Sequence, residues 1–407
     1  MLTVDDARRR VLDAVRPLDV EEVPIGDARE LVLARTLIAP HPLPRFANSA
    51  MDGYAVRSQD VGGATEEAPV SLQLTGEVRA GEPGDLRVDP GTAVRIMTGA
   101  PLPEGADSVA PIEEADESDR RVLVRASKSP GQHVRPAGDD LEEGAELVAE
   151  GTELGAGELA LLATMGFSPV PVRRGPRVAV LVTGDELVPP EADPGPGQIR
   201  DSNSVALRAL VGEAGGEPIP FPPVRDDRAA TLEAFKRAAD LADLVVSSGG
   251  VSVGGYDFVK PVIEELGAID LWRVAMQPGK PVVLGRIGDV PFLGLPGNPV
   301  SIHVGFEQFV RPALRKMRGC RLLLRPTLLA KLTQTIEKRP GRLHFVRVRL
   351  EASEEGWRAT PTGSQGSHIQ SSLIGCHGVA RFDIDETRLE AGSEVTVEVW
   401  RLPEGSG

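Results

Sequence analysis

The chain has 407 residues, a formal net charge of −15, 45 glycines, 35 prolines and two cysteines. That length predicts two to four domains with sizeable cores, and the acidic balance excludes a general nucleic-acid binder, which would carry a basic face. No apolar run is long enough to span a bilayer and the N-terminus lacks an apolar signal-peptide core. Two cysteines (Cys320 and Cys376) without a CxxC are too few for a disulfide framework, so a reduced cytoplasmic protein is expected.

Residues 3–16 and 27–38 read as helices. Ala7, Val11 and Val15 share a face at helical spacing, Thr3 and Asp6 form a capping-box pattern, and Asp27 can cap the second helix. At "APHPLPRF" prolines break the pattern. Alternating runs such as "VSLQLTGEV" and "TAVRIMTGA" follow, extending to about Asp140. Helical texture returns at "LGAGELALLATMGF" (154–167), with Gly166 as a C-cap. Helices on both sides predict a β domain (43–140) inserted into a split helical domain (1–42 and 141–175).

From Arg177 strands and helices alternate. "RVAVLVTG" is a continuous apolar strand pattern, "NSVALRALVGEAGG" a helix, "EPIPFPPV" a proline-interrupted strand and "DDRAATLEAFKRAADL" a helix. "DLVVSSGG" and "YDFVKPVIEELG" form one more strand and helix, and "DVPFLGLPGNPVSIHVGFEQFV" another pair. An α/β domain with a parallel sheet is expected over 176–317. From about Arg318 the texture is β again, so a small C-terminal barrel is expected over 318–407. The fold class is therefore multidomain, α/β plus β.

In open parallel sheets ligands bind beyond the carboxyl ends of the strands. Three such ends carry unusual loops: Thr183-Gly184-Asp185-Glu186, Ser247-Ser248-Gly249-Gly250-Val251-Ser252 and Pro296-Gly297-Asn298-Pro299. Two of them offer bare backbone amides leading into a helix, an arrangement that binds phosphate. No Walker lysine motif or GxGxxG fingerprint is present. The carboxylates Asp185, Glu186 and Asp257 sit on these loops. Several carboxylates beside an anion site call for a cation, and Mg2+ suits, because it binds through a few carboxylates, water and substrate phosphates. Asp226 or Asp227 reads equally well as a helix cap. The six histidines show no metal-ligand spacing.

The motifs "NSAMDGYAV", "RIMTGAPLPEGAD", "TGDEL", "SSGGVSVGGYDFVK", "PGKP", "LPGNPVS" and "GSQGSHIQSS" occur in this order. Together they closely resemble the MoeA family of molybdopterin molybdenumtransferases, which includes the gephyrin E domain. The resemblance covers nearly the whole chain. It implies transfer of molybdate into adenylylated molybdopterin with Mg2+-dependent release of AMP, by an elongated homodimer. It also implies a molybdopterin-adenylylating enzyme and molybdoenzymes as partners.

Carried over motif by motif, the resemblance assigns catalytic roles to Asp52, Thr98 and Asp140 on the inserted domain, and to Glu186 and Asp257 on the α/β domain. It assigns substrate contacts to Ser248, Gly249, Gly250, Ser252, Asp226, Asp227, Lys260 and Lys280. Pro296, Gly297 and Asn298 follow, with Arg347 and Ser367 from the C-terminal domain. Plainer readings stand beside these: Asp52 can fix its own turn, Thr98 is ordinary turn chemistry and Asp140 can cap a helix. One departure is Gln277, where many relatives carry lysine. The alternatives are tungstate insertion, pterin adenylylation or a scaffold without catalysis. The intact "TGDEL" and "GYDFVK" carboxylates argue against loss of catalysis.

Overall fold

The computed structural model describes residues 1–250 and 258–403. The chain divides into two compact units. One comprises Met1–Arg35, Glu150–Leu159 and Pro169–Gly407, and the other Thr36–Ala149 and Ala160–Ser168.

The first unit opens with helix α1 (Val4–Asp13). Thr3 Oγ1 accepts the Asp6 N–H at 3.1 Å and donates to the Asp6 carboxylate at 2.8 Å, so the expected cap is present. The expected helix over 27–38 is not. A 3-10 turn, Ile25–Asp27, gives way to the short strands Val32–Leu33 and Leu37–Ile38. Glu30 adopts φ 63, which a right-handed helix cannot accommodate. Val32–Leu33 instead pairs with Val170–Arg173, which also pairs with Val20–Val23. The flanking segments are therefore less helical than their periodicity suggested.

The α/β layer follows in chain order as β1 (Arg177–Val182), α2 (Asn203–Glu213), β2 (Glu217–Pro220), α3 (Arg228–Leu241) and β3 (Leu244–Ser248). Next come α4 (Val259–Leu266), β4 (Gly267–Arg273), β5 (Pro281–Ile287), β6 (Val290–Leu295) and α5 (Pro299–Gly305). After α5 the chain stays helical through a π segment, Phe306–Val310, and Arg311–Met317. The sheet order is β2-β1-β3-β6-β5-β4. Its first four strands are parallel, and the β6-β5-β4 edge is antiparallel, a pair not resolved from the sequence.

Both faces are covered. Val178 and Val180 of β1 join α1, α2 and the 299–317 helical run in one core. Ala179 and Leu181 join α3 and α4 in another. This explains the unbroken apolar run in the sequence. Each fully buried Val, Leu or Phe contributes about 1.5–3 kcal/mol.

The C-terminal strands are β7 (Thr327–Leu332), β8 (Leu343–Ser353), β9 (Gly356–Pro361), β10 (Gly378–Phe382) and β11 (Glu394–Val399). They pair in the order β8-β9-β7-β11-β10, and β10 returns to β8, closing a five-stranded barrel. Closure brings β10 very near β11: a Cβ on Gly378 would lie 2.1 Å from the Glu398 carbonyl oxygen. A two-residue strand, Met276–Gln277, pairs in parallel with Leu343–His344 of β8. The Leu343 N–H donates to the Ala275 carbonyl, and the Ala275 N–H donates to that of Leu2.

The second unit is built on a six-stranded sheet. Its order is Ser108–Pro111, Gly53–Val56, Thr92–Ile96, Val70–Val78, Arg121–Val124 and Ala115–Ser118. Apolar clusters around Tyr54 and Val56 and around Ala55 and Val94 cover its two faces. Gly166 (φ +81) ends the helix Ala156–Thr164 as expected, with its N–H bonded to the Ala163 carbonyl. No helix among the described residues is long and apolar enough to cross a membrane.

Candidate active site at the carboxyl edge of the α/β sheet

Strand β3 ends at Ser248, and the chain continues through Gly249 (φ +88) and Gly250 (φ +66), conformations that L side chains rarely adopt. A Cβ on Gly249 would lie 3.0 Å from the Thr183 hydroxyl oxygen and 3.1 Å from its carbonyl oxygen. The glycine therefore lets the β3 loop lie directly on the β1 loop.

Asn203, the first residue of α2, ties a third loop in. Its Nδ2 donates to Ser248 Oγ at 3.1 Å and to the Gly297 carbonyl at 2.8 Å. Asn203 is itself held by buried Asp201, whose carboxylate accepts the Asn203 and Ser204 N–H groups at 3.0 Å and the Ser204 hydroxyl. The barrel reaches the same place. The Val300 N–H, at the start of α5, donates to the Ser367 carbonyl at 3.1 Å.

These loops enclose a cleft of about 520 Å³. Gly249, Gly250, Pro296, Gly297 and Asn298 come from strand ends of the sheet, Gln277 and Lys280 from the segment before β5, and Arg342, Gln365 and Ser367 from the barrel. Among the described residues no Asp or Glu lines it, and its two cations are Lys280 and Arg342. Neither has a carboxylate partner among the described residues.

Arg347 takes a different position from the one its motif suggested. It is fully buried in the barrel and does not line the cleft. Its Nε donates to Ser372 Oγ at 2.7 Å, and its Nη2 to the carbonyls of Ser364 (3.1 Å) and Gly366 (3.3 Å). Its own N–H donates to Gln365 Oε1 at 2.9 Å. Burial pushes the guanidinium pKa down to about 10. Arg347 thus shapes the Ser364–Ser367 loop, which does line the cleft. Its Nη1 finds no partner among the described residues.

The other predicted residues separate. Asp185 and Glu186 are exposed on the turn after β1, and Asp185 Oδ1 accepts the Asp226 N–H at 3.2 Å. Asp227 is the N-cap of α3, accepting the Ala230 N–H at 2.9 Å, so the plainer reading holds for it. Lys260 is exposed on α4, 3.8 Å from Glu264, and does not line the cleft. Ser252 and Asp257 lie outside the described residues. Among the described residues no three His, Cys, Asp or Glu side chains converge as a metal cage.

In the second unit, Asp52 Oδ1 accepts both the backbone N–H and the hydroxyl of Thr98, each at 2.7 Å. Those bonds hold the Asp52 carboxyl below its usual range. Asp52 is therefore tied to Thr98 on another loop rather than to its own turn. Asp140 is exposed and donates its N–H to the Leu43 carbonyl. No helix starts there, so it is not a cap.

Sequence reasoning missed Asn203, Asp201, Arg342 and Gln365. Gln365 lies inside the quoted "GSQGSHIQSS", where a polar residue among glycines was the available signal. Arg342 immediately precedes a strand and Asn203 opens a helix, and nothing local marks either as facing a ligand. Cys320 and Cys376 are free and buried, and burial raises both thiol pKa values.

Residues 2–166 match the MoeA N-terminal region (domain I and II), 179–316 a probable molybdopterin binding domain and 329–400 the MoeA C-terminal region (domain IV). The chain is 37% identical to molybdopterin molybdenumtransferase 2 of Mycobacterium tuberculosis strain H37Rv, over 99% of this chain and 100% of that one. It is 36% identical to the molybdopterin molybdenumtransferase of Haemophilus influenzae, over 98% of each. The solved structure of the molybdopterin biosynthesis MoeA protein from Pyrococcus horikosii superposes with a TM-score of 0.86 at 35% identity, covering 98% of this chain and 99% of that one. With these similarities running the length of the chain, it belongs to the MoeA family of molybdopterin molybdenumtransferases, transferases of molybdenum cofactor biosynthesis.

Proposed function

We propose that the protein inserts molybdate into adenylylated molybdopterin, releasing AMP in a Mg2+-dependent reaction and leaving molybdenum on the pterin dithiolene. The observation that carries this reading is the cleft. In a chain of net charge −15 it has, among the described residues, no acidic lining, two cations and glycine-rich walls. Both substrates are anions. Backbone amides at Gly250 and Gly297 can approach phosphate oxygens because no Cβ intervenes, while the Gly249 N–H is held by the Leu295 carbonyl at 3.1 Å. Lys280 supplies a point charge to the oxyanion.

Mg2+ needs only one or two carboxylates when substrate phosphates and water complete its shell. Asp185 and Glu186, exposed at the end of β1 next to the Gly249 loop, fit that requirement and would hold the ion. Bound there, it would offset the charge that develops on the departing AMP phosphate. Asn203 fixes the spacing of the phosphate-facing loops, and Arg347 holds the barrel loop against them. The protein works in the cytoplasm as a homodimer, receiving its pterin from an adenylylating enzyme and supplying molybdoenzymes.

The test is incubation of the purified protein with adenylylated molybdopterin, Mg2+ and molybdate, without ATP, following AMP. AMP release that requires both molybdate and Mg2+ is expected. Release without molybdate, or turnover that requires ATP, overturns the reading. A parallel tungstate arm reports the choice of metal.

A further inference from the structure

We propose that Gln308 and Glu398 are positioning residues: together they latch the barrel to the α/β layer and so place the barrel wall of the cleft. The inference rests on the functional reading above only for its kinetic consequence. The helical run that leaves the cleft at Asn298 widens at Phe306–Val310 into a π turn, whose i→i+5 bonds add a residue to the helix. Two successive polar side chains, Glu307 and Gln308, are buried there. Glu307 accepts Arg325 Nε at 2.8 Å and Nη2 at 2.9 Å, a bidentate pair at the entry to β7. Gln308 Nε2 donates to Glu398 Oε2 at 2.6 Å, on β11. Arg8 of α1 fixes which way that amide points. Its Nη2 donates to Gln308 Oε1, and its Nε to the Gln308 carbonyl at 3.2 Å.

Glu398 is in register with Val379 of β10, and Val379 with Arg347 of β8. Directly paired residues share a face of the sheet, so the three form one row facing the α/β layer. Val379 packs in the same core as Phe306, Phe309 and Val310 of the π turn. At one end of the row stands Gln308. At the other, Arg347 holds the Ser364 and Gly366 carbonyls of the loop that lines the cleft. The same helical run meets that loop directly, where the Val300 N–H donates to the Ser367 carbonyl at 3.1 Å. Two contacts along one helix, at Val300 and at Gln308, fix the tilt of the barrel, where one alone would leave it free to swing. Burial raises the Glu398 pKa, with Glu307 adding to it, against the Gln308 bond and the charges of Arg8 and Arg381. Loss of the Gln308 donor would strand this buried carboxyl group and open the seam to water.

The test reads the seam and the chemistry separately. The Val300 and Leu343 N–H groups donate across the seam, to the Ser367 and Ala275 carbonyls, and report its opening. Gln308→Met keeps the volume and removes the side-chain bonds. Exchange at Val300 and Leu343 should accelerate by about tenfold or more, while amides of the β1–β3 and β8–β9 ladders stay within about twofold of wild type. The kcat for AMP release should fall by about tenfold with the KM for adenylylated molybdopterin within about threefold, because the barrel wall is misplaced while the α/β loops are not. Gln308→Glu sets two buried carboxyl groups together and should be worse. Adding Glu398→Gln to it restores the bond in reverse and should return exchange and kcat to within about threefold of wild type. Arg8→Met, which frees the amide without entering the seam, should show the Gln308→Met pattern more weakly, and it replaces that variant if the latter does not fold. Unchanged exchange at Val300 and Leu343, equal acceleration in every ladder, or no recovery in the reversed pair overturns the latch. A wild type that releases no AMP overturns the functional reading instead, and the exchange measurements still decide the latch.

Discussion

Asn203 and Gly297 are joined by a side-chain bond across 94 residues of sequence: Asn203 Nδ2 donates to the Gly297 carbonyl at 2.8 Å. The same nitrogen reaches Ser248 Oγ, so one amide sets the separation of two loops that line the cleft. Asn203→Ala should raise the KM for adenylylated molybdopterin several-fold while lowering stability by only about 1–2 kcal/mol. Asn203→Asp keeps the shape and loses the donor, and should show the same defect. Steady-state kinetics beside a denaturant melt check both. An unchanged pterin KM in both variants would remove Asn203 from the site.

Gly249→Ala tests the close approach of the loops. The residue sits at φ +88, and its new Cβ would crowd Thr183 at 3.0 Å. The strain is roughly 1–2 kcal/mol, and the shifted loop should weaken pterin binding severely. Gly212→Ala is the contrast. It lies inside α2 with nothing within 4 Å of where the added methyl would sit, and should stabilise by about 0.5–1 kcal/mol with unchanged kinetics. Thermal melts and AMP release separate the two.

Much of this was legible in the sequence, and the gaps have physical causes. The "RVAVLVTG" strand was readable because helices cover both its faces, and the Thr3 and Gly166 caps because they act within four residues. The 27–38 segment misled because apolar periodicity cannot report the left-handed Glu30 or the pairing of Val32–Leu33 with Val170–Arg173. The glycine loops of the cleft announced themselves through composition. Arg342 did not, because its place depends on a strand pairing with Met276–Gln277 that no local pattern encodes. Arg347 was legible as important, but its burial, and hence its role in shaping a loop, was not.

His344 predicts an acid limit. Burial first, then the positive charges of Arg347 and Lys338, pushes its imidazole from 6.5 down to about 4. Between those values the unfolded chain binds a proton that the folded chain refuses. Stability is therefore intact above pH 6.5 and is lost as pH falls toward 4, by about 3 kcal/mol in all. Denaturant melts from pH 7.5 to 4.5 should show that loss, and His344→Leu should flatten that part of the profile. An unaltered slope in His344→Leu would assign the acid sensitivity elsewhere.

Arg347→Lys should keep the fold and free the loop. One ammonium cannot span Ser372 Oγ and the carbonyls of Ser364 and Gly366 together. Amide exchange should accelerate over 363–369 while the β1 and β3 amides stay protected, and AMP release should fall with it. Loss of protection across the whole barrel would instead mark Arg347 as a core residue of general importance.

The ladder from Leu2 through Ala275 to Leu343 means that the barrel is not an exchangeable cassette. A chimera joined near residue 318 would receive five foreign strands but keep its host's Met276–Gln277, so the seam would fall inside a hydrogen-bonded sheet rather than in a linker. Swaps between relatives should succeed only when residues 273–277 travel with the barrel. The same coupling makes the segment that carries Gln277 and the strand that follows Arg342 a pair expected to drift together as family members diverge.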